Sequence, residues 1–163
     1  GGSVRWLVSG DIHNGEIFDC EGRITEKGVK NSNAKILPIN SVLIALNGQG
    51  KTRGTVALLR TEATCNQSIV SINPKNKAIL LSEFLFFVLK GMYKQIRKLT
   101  GDNERSGLNM PIIRNIEIPK PSIEIQKRIV DKIQEEQKIV EANKKLIDLF
   151  QQKIEAKIKS IYG

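Results

Sequence analysis

Residues 116–126 read Ile116-Glu117-Ile118-Pro119-Lys120-Pro121-Ser122-Ile123-Glu124-Ile125-Gln126, and the chain changes character across them. Ahead of the two prolines, apolar residues come in short runs separated by Gly, Asn and Pro. Beyond them, no Pro or Gly occurs from Ser122 to Ser160. Ser122, directly after a proline, is a capable N-cap, so a single long helix is expected from there on. Some forty residues at roughly 1.5 Å each make a rod of about 60 Å.

Along that helix Ile133, Val140, Ile147, Ile154 and Ile161 recur every seven residues, with Ile129, Phe150 and Ile158 at intermediate positions on the same side. This is the pattern of a coiled-coil seam. Glu136, Asn143 and Lys157 interrupt it, which favours pairing with one particular partner helix, either in a second copy of the chain or in an equivalent segment. The other reading is a helix folded back on its own domain; its length argues against full coverage by so small a body.

Upstream, the periodicity is that of strands. Val4–Val8, Ser41–Leu46, Thr55–Leu59, Gln67–Ile72 and Ile112–Ile118 are rich in Val, Ile and Leu and bounded by turn residues. One internal helix is expected over Leu80–Leu99, with Phe84, Phe87, Val88 and Met92 at helical spacing on the face that packs against the strands. The fold class is therefore α+β: a mostly β body over residues 1–120 with one packed helix, followed by a long coiled-coil helix over residues 121–163.

The 163 residues amount to about one domain and an appendage. With 40% hydrophobic residues, 13 Gly and 5 Pro, the composition is globular rather than collagenous or low-complexity. Lys and Arg number 26 against 17 Asp and Glu, a net charge of +9. The excess is uneven: 17 basic and 10 acidic residues precede Pro121, so the body carries most of it. A polyanion, nucleic acid first, is the partner this favours.

One histidine, His13, and two distant cysteines, Cys20 and Cys65, cannot assemble a zinc site with ordinary ligand spacing. Two lone cysteines without a signal peptide point to reduced thiols and a cytoplasmic location. The most apolar stretch, Ala78–Leu89, contains Ser82 and Glu83 and falls well short of the roughly 20 residues of a membrane helix, which excludes membrane insertion.

Two polar loops are the candidate contact surfaces. Ala45-Leu46-Asn47-Gly48-Gln49-Gly50-Lys51-Thr52 superficially matches a relaxed phosphate-binding loop. Such a loop must lead into a helix whose N-terminus faces the phosphates, whereas here Arg53-Gly54 leads into a strand-like run. Nucleotide binding is rejected on that ground. What remains is a glycine-rich strand–loop–strand presenting Asn47, Gln49, Lys51, Thr52 and Arg53, side chains that pair with base edges or phosphates. As a bare hairpin it would have no such role; the basic charge favours contact.

The second loop, residues 100–109, offers Asn103, Arg105 and Asn109, types that read adenine and guanine edges, though a solvated turn would have the same composition. Between the loops, Lys90, Lys94, Arg97 and Lys98 form a cationic stretch with no acid between Glu83 and Asp102, suited to phosphates. Catalytic constellations are missing. His13 has no nucleophile motif beside it and reads as structural or solvent-facing, and Asn73-Pro74-Lys75 lacks the second proline and the aromatic of an adenine-methyltransferase tetrapeptide.

Several stretches together resemble a family: Trp6-Leu7-Val8-Ser9-Gly10-Asp11-Ile12, the passage from Ile24-Thr25-Glu26-Lys27-Gly28 to Ser41-Val42-Leu43-Ile44-Ala45, Ala63-Thr64-Cys65-Asn66-Gln67-Ser68, and above all Ile116–Pro121 followed by Glu124-Ile125-Gln126. They are similar to the target-recognition domain and following helix of the specificity subunits of type I restriction-modification systems. In that family a strand ending in Pro-x-Pro runs into a long helix beginning near Glu-x-Gln.

The resemblance implies a non-catalytic module that reads one half of a bipartite double-stranded DNA target, with the helix as a spacer to a second module. It implies partners: adenine methyltransferase (modification) subunits using S-adenosylmethionine, and a restriction/translocase subunit using ATP and Mg. No cofactor or metal is expected on this chain. A complete specificity subunit has two recognition domains and two helices, so one of each implies a half-subunit that dimerises, or a fragment. The family's domain also begins earlier than Trp6 would suggest, so a truncated N-terminus is expected. The alternative is the C-terminal recognition module of a single-chain methyltransferase-endonuclease. A coiled-coil adaptor without a DNA role would leave the charge of the body without a purpose.

Overall fold

The structure, a computed structural model, describes residues 1–48, 50–100 and 107–162. The chain forms two compact units, Gly1–Gln126 and Lys127–Gly163. The elements in chain order are β1 (Val4–Leu7), a 3₁₀ turn (Ser9–Asn14), β2 (Glu16–Ile17), β3 (Arg23–Ile24), α1 (Glu26–Lys30), β4 (Val42–Ala45), β5 (Val56–Leu59), β6 (Thr64–Cys65), β7 (Ile69–Ile72), α2 (Ser82–Gly91), α3 (Tyr93–Lys98), α4 (Met110–Arg114) and α5 (Ile123–Tyr162). The class is α+β.

Two small sheets make the body, with strand orders β3-β1-β6 and β2-β5-β4-β7. In the larger sheet β4 lies antiparallel to β5, pairing Val42 with Leu58 and Ile44 with Val56, and antiparallel to β7, pairing Val42 with Ile72. All four residues of β4 are buried, as are all four of β5. The unbroken apolar run of β4 follows from this, because both of its faces are covered. Val42, Ile44 and Leu46 face one core with Leu85, Phe86, Leu89 and Ile96, while Leu43 and Ala45 face a second with Leu7, Ile12 and Ile17. Truncating a side chain such as Leu89, 2% exposed, would cost about 2–5 kcal/mol.

Three sequence expectations are corrected. The helix expected over Leu80–Leu99 is two helices, broken at Met92, whose φ of −81° and ψ of 5° lie outside the α basin. Gly91, a poor interior residue, sits at the break. The buried residues of α2 include Phe84, Leu85, Phe86 and Leu89, with Phe87 and Met92 only partly buried beside them.

The strand expected over Ile112–Ile118 is absent. Residues 110–114 form α4 instead, because the Asn109 side chain accepts a hydrogen bond from the Ile112 amide at 3.0 Å and Pro111 stands in the first turn. Cap and proline together outweigh the strand preference of two isoleucines. Consequently no strand runs into Pro119-Lys120-Pro121. Residues 115–122 connect α4 to α5 without regular structure.

The start of α5 is tied to the body by Gln126, which is fully buried. Its amide nitrogen donates to the carbonyls of Ile79 and Pro121, and its oxygen accepts from the Leu81 amide. In the second unit, every described residue from Glu135 onward is exposed, including Val140, Ile147, Phe150, Ile154 and Ile158. Ile129 is 38% exposed and Ile133 partly buried.

Candidate nucleic-acid interface

Residues 46–55 connect β4 to β5 as an antiparallel hairpin, strand–loop–strand with no helix following, so the geometry is not that of a phosphate-binding loop. Its base is closed by Gly54 N donating to Ala45 O at 2.8 Å and Ala45 N to Thr55 O at 3.0 Å. Gly50 and Gly54 have φ of +60° and +81°, conformations that glycine adopts without strain. At Gly54 a second reason applies, since a Cβ there would stand 3.2 Å from the Cγ of Arg97.

Three side chains from outside the hairpin hold it. His13, from the 3₁₀ turn, places Nε2 2.9 Å from the Thr52 hydroxyl. Tyr93, the first residue of α3, donates its hydroxyl proton to Lys51 O at 2.8 Å, an acceptor shared with the Thr55 hydroxyl. Arg97, one turn further along α3, donates from Nη1 to Arg53 O at 3.0 Å while its guanidinium lies 5.5 Å from the centre of the Tyr93 ring. Such a cation–π contact reinforces a guanidinium already held by a hydrogen bond. Beside these contacts is a cavity of about 410 Å³, with His13, Lys51, Lys90 and Tyr93 in its wall.

The second loop meets the first at its root. Leu108 N donates to Leu46 O at 2.9 Å, extending the pairing of β4 beyond Ala45, and Gly107 lies against the Asn47 side chain so closely that a Cβ would collide with it. The two stretches singled out from sequence are thus brought together, although 60 residues separate Asn47 from Gly107.

Individually, Asn47 and Lys51 are exposed and Thr52 is partly buried against His13. Arg53 is 7% exposed and so presents little of itself at the surface. Asn109 is exposed, with its side-chain oxygen engaged as the cap of α4. Gln49, Asn103 and Arg105 lie outside the described residues. Lys94 and Lys98 on α3 are exposed, as is Lys90 at the end of α2, whose ammonium stands 5.3 Å from the centre of the Phe86 ring. Arg97 differs from these lysines in being partly buried and turned toward the hairpin.

Sequence reading missed Tyr93 and His13 as parts of this region. Tyr93 was hidden inside an assumed continuous helix, and nothing local ties His13 to Thr52, which lies 39 positions away. Among the described residues no group of three or more His, Cys, Asp or Glu could hold a metal ion. Burial pushes the Cys65 thiol, and likewise the Cys20 thiol, above the ordinary range; both cysteines are free. No helix among the described residues is long and apolar enough to cross a membrane.

Comparison with known proteins bears on what this surface belongs to. The chain is 29% identical over 150 residues to the type I restriction enzyme MjaIX specificity subunit of Methanocaldococcus jannaschii, covering 89% of this chain and 34% of that protein. It is 27% identical over 134 residues to the EcoR124I/EcoR124II specificity subunit of Escherichia coli, covering 80% of this chain and 32% of that one. The chain therefore spans about a third of the length of the curated relatives it matches.

Among solved structures, the fold is similar to a chain from a type I restriction-modification complex (TM-score 0.65, 16% identity, 87% of this chain and 33% of that one). It is also similar to the type I restriction-modification system S subunit from M. genitalium (TM-score 0.60, 19% identity, 91% and 36%), and to the HsdS subunit of Thermoanaerobacter tengcongensis (TM-score 0.58, 17% identity, 86% and 31%). The family model of the type I restriction modification DNA specificity domain matches residues 1–159, and the chain belongs to that family.

Proposed function

We propose that this chain reads one half of a bipartite double-stranded DNA target and positions the modification and restriction subunits of a type I restriction-modification complex on it. The observation that carries the reading is the convergence of the two polar loops, Leu108 N on Leu46 O, beside the exposed lysines of α2 and α3. Phosphates are met by Lys90, Lys94 and Lys98, which set orientation and salt dependence. Base edges are met by Asn47, Gln49, Lys51 and Thr52 of the first loop and by Asn103, Arg105 and Asn109 of the second.

The module has no catalytic role of its own. S-adenosylmethionine, ATP and Mg serve the partner subunits, and the work on DNA takes place in the cytoplasm, where free Cys20 and Cys65 stay reduced. The apolar face of α5, with Val140, Ile147 and Ile154 exposed, pairs with the helix of a second recognition module and sets the spacing between half-sites. The matched relatives are specificity subunits, which favours this over a module fused to a methyltransferase-endonuclease.

The test is a filter-binding titration of the chain against a randomised duplex pool at two salt concentrations, with the retained duplexes sequenced. Enrichment of a defined half-site, with affinity falling steeply as salt rises, is expected. Retention of no duplex at either salt concentration would remove the DNA-reading function.

A further inference from the structure

We infer that Tyr93 and Arg97 are positioning residues that hold the β4–β5 hairpin in its reading conformation, and that Arg97 is not one of the phosphate contacts around it. The inference rests on the proposed DNA reading and adds to it the means by which one loop is given a single shape. The break at Met92 starts it. α2 ends at Gly91 and α3 restarts at Tyr93, and α3 lays Ile96, Arg97 and Tyr93 over Gly54.

From there the two polar side chains take two carbonyls of the hairpin on either side of Thr52. The Tyr93 hydroxyl donates to Lys51 O at 2.8 Å and Arg97 Nη1 to Arg53 O at 3.0 Å. Both acceptors are backbone, so what is fixed is the path of the chain between Lys51 and Gly54, whatever bases lie opposite. Arg97 is further committed by its stacking on Tyr93 and by a 3.4 Å contact from Nη1 to the Tyr93 hydroxyl oxygen. The neighbouring Lys94 and Lys98 are exposed and have none of these ties. A loop rich in glycine has many conformations open to it, and ordering it before binding means the DNA contacts need not supply that entropy.

A positioning role and a phosphate role are separable, because they move different quantities. A lost phosphate contact weakens binding to all sequences alike and reduces the slope of log affinity against log salt by about one. A loosened reading loop lowers the preference for the correct sequence and leaves that slope alone. The decisive variants are Arg97→Lys, which keeps the charge and loses the guanidinium, and Tyr93→Phe, which removes one hydroxyl and changes no charge.

Binding of the full chain is measured against the half-site enriched by the wild type and against random duplex, over a salt series, with thermal midpoints recorded alongside. Both variants are expected to lose roughly tenfold in preference, the size of one hydrogen bond to a charged or buried partner, with the salt slope unchanged and the midpoint close to that of the wild type. Preference retained in Arg97→Lys, together with a slope lowered by about one in Arg97→Met, would overturn the inference in favour of phosphate contact. Equal weakening on every duplex in Tyr93→Phe would overturn it as well. If the wild-type chain enriches no sequence at all, the DNA reading itself fails, an outcome distinct from either.

Discussion

The side-chain oxygen of Gln126, at the start of α5, accepts the backbone amide of Leu81 at 3.0 Å, across 45 positions of sequence. Leu81 is the N-cap of α2 and has no capping side chain of its own, and Gln126 supplies a polar partner at that end from another element. Its nitrogen meets Ile79 O and Pro121 O, so one fully buried amide joins the backbone at 79–81 to the stretch that leads into α5. Gln126→Leu keeps the approximate volume and leaves three partly buried backbone groups without this partner. A loss of about 2–4 kcal/mol in unfolding free energy is expected from urea titration. A value within 0.5 kcal/mol of wild type, the usual scale of a neutral surface change, would remove Gln126 from the role of fastener.

Arg60 joins three elements in a similar way. Its guanidinium reaches Glu16 of β2 at 2.6 Å, Glu83 of α2 at 3.0 Å and the side-chain oxygen of Asn40 at 2.8 Å. Asn40 is held at a φ of +68°, a conformation asparagine tolerates better than most residues. Arg60→Met should cost about 1–3 kcal/mol, and Arg60→Lys should recover only part of it, because an ammonium cannot present the planar fork. Full recovery with lysine, in the same urea titration, would show that charge alone accounts for the site.

Asp19 sits between two arginines that face each other across β1 and β3, Arg5 paired with Arg23 in the strand register. Like charges directly opposite are unfavourable in a sheet, and Asp19 offsets them. The hydrogen bond from Arg5 is the largest cause of its lowered pKa, with the Cys20 amide and the Arg23 charge acting in the same direction. A carboxyl whose pKa is depressed on folding stabilises above its unfolded value, near 3.8, and loses that stabilisation as pH falls through the lower folded value. Asp19→Asn should therefore lower the thermal midpoint at neutral pH and flatten its dependence on pH in the acid range below that value. An acid limb identical to wild type would assign the pH dependence elsewhere.

Phosphate and base contacts should separate on the basic face. Lys94→Ala is expected to reduce the salt slope by about one and leave the enriched sequence unchanged, whereas Asn47→Ala should relax the preference at one base pair by roughly 1–3 kcal/mol and leave the slope alone. Sequencing of retained duplexes together with a salt series reads both. If the two variants behave alike, the division between lysines and loops is mistaken.

On α5, Ile147 is 56% exposed and lies on the heptad line with Val140 and Ile154. Ile147→Asp would place a charge in the seam of a paired helix. In sedimentation equilibrium the wild-type chain should associate and the variant should remain monomeric; indistinguishable profiles with an associated wild type would place the contact on another face.

The limits of the sequence follow from which interactions are local. A forty-residue stretch free of Pro and Gly, opened by Pro121-Ser122 and carrying a heptad of isoleucines, determined α5 within the chain itself, since caps, breakers and periodicity act over a few residues. The runs at 42–45 and 56–59 likewise declared themselves as strands, and the basic surplus of the body pointed to a polyanion from composition alone. Even where the residues misled, at 110–114, the deciding signal was local: an asparagine cap and a proline that outweighed two β-branched side chains. The partners of Gln126, the meeting of Leu108 with Leu46 and the reach of Tyr93 and Arg97 to Lys51 and Arg53 were decided only by the tertiary structure. Apart from the short reach of Gln126 to Pro121, each joins positions some 40 or more residues apart, and no pattern along the chain records a contact that exists only once two elements have packed.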